Sequence, residues 1–132
     1  MTEWRRLAKD TILAIHDEQL AEHGGRPGIR DMGLLEAALA RPLNGASHAE
    51  VTVFDLAAAY AFGIVRNHPF VDGNKRVALL AAALFLIEHD VEIGASDDAI
   101  VTSMLSLADG SLDEEGFALW LRNNTVVSGE AR

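Results

Sequence analysis

FDLAAAYAFGIVRN (Phe54–Asn67) is followed, six residues later, by NKRVALLAAALFLIEH (Asn74–His89), and the reading of these two stretches decides the fold. In the first, Leu56, Ala57, Tyr60, Phe62, Ile64 and Val65 point to every side of a helix. The second carries Val77, Leu80, Leu84 and Ile87 on one face and Leu79, Ala83 and Leu86 on another. A surface helix shows one apolar stripe, whereas a helix that is apolar all round must be covered all round. The expected architecture is therefore all-α: a compact bundle of about six helices, with a buried central helix pair flanking one loop.

Upstream, Leu7, Thr11, Ile12, Ile15 and Leu20 mark a first helix, stopped by the glycines of His23-Gly24-Gly25-Arg26-Pro27-Gly28. Asp31 can cap a short second helix carrying Leu34, Leu35, Ala38 and Leu39, which Arg41-Pro42 is expected to close. From Arg41 to Val53 the helical period is lost, so this segment reads as a loop with a short extended stretch around Val51 and Val53. Downstream, a fifth helix is expected from Ser96 to Ala108, and a sixth opening at Ser111, with Glu114 at the capping-box spacing. No repeat, linker or low-complexity stretch divides the 132 residues. One domain, 1–132, is expected, of a size that buries roughly two-thirds of its unfolded surface.

Composition removes several function classes. There is no cysteine, which excludes disulfides and thiolate metal sites and fits a reducing cytoplasm. Twenty acidic against 11 basic residues give a formal charge of -9, a balance that repels nucleic-acid phosphates, so no nucleic acid is expected as a partner. The opening MTEWRRLAKD has no apolar targeting core, and the longest apolar run, Val77 to Ile87, is well short of the roughly 20 residues that span a bilayer. A soluble cytoplasmic protein that does not engage membranes is expected.

The two apolar helices enclose one polar interruption, Arg66-Asn67-His68-Pro69-Phe70-Val71-Asp72-Gly73-Asn74-Lys75-Arg76. So many chargeable groups beside a core are costly unless they face a cleft or a ligand, which places the functional site here. Pro69 disfavours helical geometry at His68, and Phe70 can sink into the core as an anchor. Histidine suits the removal of a hydroxyl proton at neutral pH. Asp72 offers an oxygen to magnesium, which takes one or two carboxylates plus phosphate oxygens. Gly73 permits close backbone approach, and the first N–H groups of a helix starting at Asn74 attract phosphate. Lys75 and Arg76 add full charges where the oxygens of a transferring phosphoryl group would lie.

Each residue taken singly has a plainer reading: His68 as a satisfied structural histidine, Asp72 as an N-cap, Lys75 and Arg76 as solvated charges. Their convergence in one loop between apolar helices favours a site for nucleotide phosphates, a metal and a base. The remaining histidines, His16, His23, His48 and His89, have no ligand-like spacing and read as structural.

The stretch His68 to Arg76 resembles the Fic/Doc motif, H-x-F-x-[DN]-[AG]-N-[GK]-R, in the lysine form of the Doc (death-on-curing) branch. Ile15-His16-Asp17 with His23 to Gly28 resembles the helix and glycine turn that open Doc-type toxins, and Ala83-Leu84-Phe85-Leu86 continues the likeness, which runs from about Leu7 to Leu121. The resemblance implies the toxin of a type II toxin–antitoxin pair: a kinase using ATP and Mg2+ to phosphorylate a translation elongation factor, arresting translation. It also implies a Phd-type antitoxin whose C-terminal segment folds onto the toxin. Carried over to this chain, His68 would activate the target hydroxyl, Asp72 would organise the metal, and Gly73, Asn74, Lys75 and Arg76 would hold phosphates. Arg66, two residues before the histidine, would assist.

Two other functions compete. Fic enzymes more broadly transfer AMP to a protein hydroxyl, but they carry glycine where this chain has Lys75, and usually a second arginine where it has Leu79. A non-catalytic module that only binds an antitoxin would need no base and metal ligand together. Related Fic enzymes also dock the target as an added strand on a flap, so Val51, Thr52 and Val53 are expected to hold the target over His68; the alternative is a plain connector.

Overall fold

In a computed structural model, which describes residues 4–45 and 50–128, the chain forms α1 (Lys9–His23), α2 (Met32–Gly45), α3 (Val53–Asn67), α4 (Asn74–Glu88), β1 (Val91–Ile93), α5 (Asp97–Asp109), α6 (Glu114–Asn123) and β2 (Thr125–Val127). The all-α reading holds. The strands, missed in the sequence, are three residues each and pair antiparallel, Val91 opposite Val127 and Ile93 opposite Thr125. Runs so short carry no legible alternation.

α3 is the centre, packed by α2, α4 and α6. Eight of its fifteen residues are buried, spread around the helix. Small residues make this possible: a Cβ at Gly63 would lie 3.2 Å from Ala38, so α2 and α3 approach through a glycine. α4 is more one-sided than expected. Val77, Ala78, Ala81, Ala82, Phe85 and Leu86 are buried, whereas Leu79, Leu80, Ala83 and Leu84 are half-buried and Ile87 is 53% exposed. A bundle this small has too few layers to cover two helices on all sides.

The expected boundaries need correction where tertiary contacts override local signals. α2 does not close at Arg41-Pro42 but continues to Gly45 with Pro42 inside it. Proline removes one helical hydrogen bond, yet Pro42 is buried, and Arg41 reaches the Glu114 carboxylate and lies 4.8 Å over the Phe62 ring. α1 starts at Lys9, so Leu7 lies before it, with its N–H donating to the Tyr60 hydroxyl at 3.0 Å. α6 is capped by Asp113, whose carboxylate accepts from the Gly116 N–H at 2.7 Å, and not by a Ser111–Glu114 box. Glu114 is engaged by Arg41 instead. Thr52 and Asp55 form a reciprocal capping box that opens α3. Thr52 is thus extended but committed to the helix start, and Val53 is helical, correcting the expected extended stretch. Of the connecting loop, residues 46–49 lie outside the described residues.

Candidate active site

α3 ends at His68, which takes left-handed backbone angles, φ 49° and ψ 55°, while its N–H still donates to the Ile64 carbonyl at 3.0 Å. Proline at the next position disfavours a right-handed turn here, and a residue with a Cβ seldom occupies the left-handed region unless its surroundings impose it. The side chain of Phe70 is fully buried and stacks on the His16 ring, centroids 3.9 Å apart. The motif loop is therefore pinned two residues beyond the histidine, as its sequence implies.

Asn74 has a structural role that the sequence did not show. It is 5% exposed, and its side-chain amide closes a ring with the Phe70 backbone: Oδ1 accepts from the N–H at 3.0 Å and Nδ2 donates to the carbonyl at 2.9 Å. With one bond made by each amide atom, this side chain braces the loop, and one Nδ2 hydrogen is left over. Its backbone N–H, in the first turn of α4, has no helical partner either.

A second strip of chain, from Gly24 to Asp31, lies along the motif loop. Ile29 and Phe70 form an antiparallel bridge, Val71 N–H donates to the Gly28 carbonyl at 3.1 Å, and Arg30 and Asp31 N–H both donate to the Pro69 carbonyl, at 2.7 and 3.0 Å. The His16 Nε2, which must carry the proton because its partner is a carbonyl, donates to the Asp72 backbone oxygen at 2.9 Å. Glycine is required where this strip comes closest. Gly25 has φ +122°, and a Cβ there would fall 2.9 Å from an Asp72 carboxylate oxygen.

The Asp72 carboxylate is held between these strips, accepting from the Arg26 N–H at 3.1 Å and the Gly73 N–H at 2.9 Å. It is not the N-cap of α4, a position taken by Gly73 without any side-chain cap. The Arg26 N–H first, then the Gly73 N–H, and more weakly the charges of Arg26 and Arg76, hold the carboxyl below its usual range. Asp72 is therefore anionic at neutral pH, and each oxygen keeps a lone pair free.

An open cleft of about 490 Å3 is lined by Val65, His68, Asp72, Gly73, Asn74, Lys75, Arg76 and Ala108. Because Gly73 caps α4 without a side chain, the N–H groups of Asn74, Lys75 and Arg76 open into this cleft without helical partners. A helix start of this kind attracts anions, and the Lys75 and Arg76 side chains are exposed beside it. The expected base, metal ligand and phosphate-binding segment are thus brought together. Arg66 is not among the lining residues; it is exposed, 5.9 Å from the Phe62 ring centroid. Val51, Thr52 and Val53 sit at the opposite end of α3, and by the helical rise of 1.5 Å per residue about 24 Å separates Thr52 from His68. They do not overhang the histidine.

The residues Phe54–Asn67 and Asn74–Glu88 are joined here by the same short loop that the Fic/DOC family model covers: that model matches residues 6–86. This chain belongs to the Fic/DOC family. Among curated members, "Protein kinase doc" of Escherichia phage P1 is 32% identical over 119 residues, 89% of this chain and 94% of the phage protein. "Toxin Doc" of Mycolicibacterium smegmatis is 43% identical over 77 residues, 57% of this chain and 59% of that protein. The Fic/DOC motif itself was legible in the sequence. That His16, Gly25, Arg26 and Arg30 hold it was not. The cluster of glycines at 24, 25 and 28, all with positive φ, was the one available sign of close backbone approach; nothing marked Arg30.

Proposed function

We propose that this Fic/DOC member is the toxin of a type II toxin–antitoxin pair, a Doc-like kinase that moves the γ-phosphate of ATP onto a hydroxyl of a translation elongation factor. The observation that carries this reading is the uncapped first turn of α4, which opens into the cleft shared with His68 and Asp72. The names of the two relatives point the same way.

The nucleotide phosphates would rest on the backbone N–H groups of residues 74–76, between the charges of Lys75 and Arg76. Mg2+ fits as a guest of the nucleotide. Among the described residues no group of three or more metal-ligating side chains exists, and Asp72 supplies the single ionised carboxylate that such an ion needs beside phosphate oxygens. The ion would neutralise charge on the transferring group. His68 takes the proton from the target hydroxyl as its oxygen bonds to the γ-phosphorus. The bond from that phosphorus to the β–γ bridging oxygen breaks, and ADP leaves. Arg66, exposed two residues before His68 and outside the cleft lining, would assist from the margin of the site.

AMP transfer is the second reading. Against it, the Lys75 side chain stands at the phosphate-binding turn, and three residues past Arg76 the half-buried Leu79 offers no second cation. An inhibitory antitoxin of the Phd type and a cytoplasmic setting complete the proposal; among the described residues no helix is long and apolar enough to cross a membrane. The test is incubation with a cell extract and ATP labelled separately on the γ- and α-phosphates. A protein target should retain γ-label only. Retention of α-label would establish the AMP reading in its place.

A further inference from the structure

The imidazole of His68 is exposed, and among the described residues no side chain orients it by a hydrogen bond, so its position is inherited from its backbone. That backbone occupies a left-handed conformation, which a residue with a Cβ adopts only when other groups impose it. We propose that Arg30 is the positioning residue for His68: its guanidinium bridges the last carbonyls of α3 and so aims the imidazole at the reacting hydroxyl. The proposal rests on the reading of His68 as the base.

Arg30 Nε donates to the His68 carbonyl at 2.7 Å and Nη2 to the Asn67 carbonyl at 2.8 Å. The planar fork of arginine spans two adjacent acceptors, whereas a lysine ammonium is a point donor. Both carbonyls close a helix, have no helical partner and lie at its negative end, where a cation is favoured. The stem of Arg30 is itself fixed, because its N–H and that of Asp31 share the Pro69 carbonyl and the preceding residue, Ile29, bridges Phe70. One short segment therefore holds three successive carbonyls, those of residues 67, 68 and 69, around the catalytic histidine. Arg30 is exposed and lies outside the core, so truncating it removes this clamp and leaves the helices packed.

The experiment compares the parent with Arg30→Ala and Arg30→Lys by steady-state transfer kinetics, calorimetric ATP binding and the 13Cα resonance of His68. The expected result for Arg30→Ala is a kcat lower by on the order of 10- to 100-fold, the loss that misplacing a reacting group by about 1 Å produces. ATP affinity should stay near the parent value, since the α4 turn is braced by Asn74 and His16, and the His68 resonance should leave its left-handed position. Arg30→Lys should recover part of kcat. An unchanged kcat and resonance would overturn the proposal, as would a kcat loss accompanied by equal loss of ATP binding and folding. If the parent itself transfers no label, the proposed function fails separately, and the His68 resonance alone decides: unchanged in Arg30→Ala, it overturns the role of Arg30.

Discussion

Replacing Asn74 by alanine separates a brace from a ligand. The substitution deletes both bonds to Phe70 and leaves its N–H and carbonyl buried without partners. Each orphaned group costs roughly 1–3 kcal/mol, of which partial rehydration from the adjoining cleft recovers some, so a net loss of about 2–4 kcal/mol is expected. For a chain of this length 1 kcal/mol corresponds to roughly 3–4 °C, which puts the fall in Tm at about 6–16 °C. Urea unfolding at constant slope, followed by calorimetry, measures both. Asn74→Asp sharpens the comparison. Its carboxylate can still accept from Phe70 N–H but faces the Phe70 carbonyl without a proton to donate. The buried acid is disfavoured when charged, so this variant should regain stability as pH falls and the carboxyl protonates. A side chain that served phosphate alone would behave otherwise: Asn74→Ala would unfold within about 0.5 kcal/mol of the parent, as surface changes do, and would lose ATP affinity. That result refutes the brace.

His68→Ala should abolish target phosphorylation and growth arrest with little change in melting, because the imidazole is exposed; a folded variant that still arrests growth would remove His68 from the mechanism. Thr52→Ala, which breaks the capping box of α3, should cost about 0.5–2 kcal/mol in denaturant unfolding with kcat intact, given its distance from His68. The Asp72 carboxyl, followed by carbon NMR, should titrate below the usual carboxylate range because the Arg26 and Gly73 N–H groups favour its charged form. Its contribution to stability is then complete above the ordinary carboxylate value, is lost as pH falls through the depressed one, and is missing in Asp72→Asn.

The centre of the fold and the position of the site were legible because both are written in short-range pattern. Apolar residues on every side of Phe54–Asn67 announce a covered helix, and a dense polar loop beside it announces a cleft. What remained hidden was decided across the chain. Pro42 marks a helix end locally, but burial against the bundle and the Arg41–Glu114 pair carry α2 past it. Ser111 and Glu114 have capping-box spacing, but Asp113 is the residue that meets the free N–H of Gly116. Asn74 belongs to the motif by position, and its burial against Phe70, which makes it a brace, is a tertiary fact. Arg30 has no period, spacing or neighbour that would distinguish it from a solvated arginine.

The joining of the motif loop to residues 16–31 spans 37 to 56 positions in sequence. Its arginine hydrogen bonds lie at the exposed margin of the bundle, with the His16 bond part-buried behind them, whereas the α3–α4 contact lies at its centre. Regions bound this way open in smaller units than the whole molecule, at lower free energy. Amide exchange at Arg30, Asp31 and Val71 should accordingly outpace exchange in α3 while helical content is unchanged. A molecule opened along this seam would keep the α3–α4 contact and lose the clamp on His68, so the order of the loop and the fold of the bundle can be lost separately.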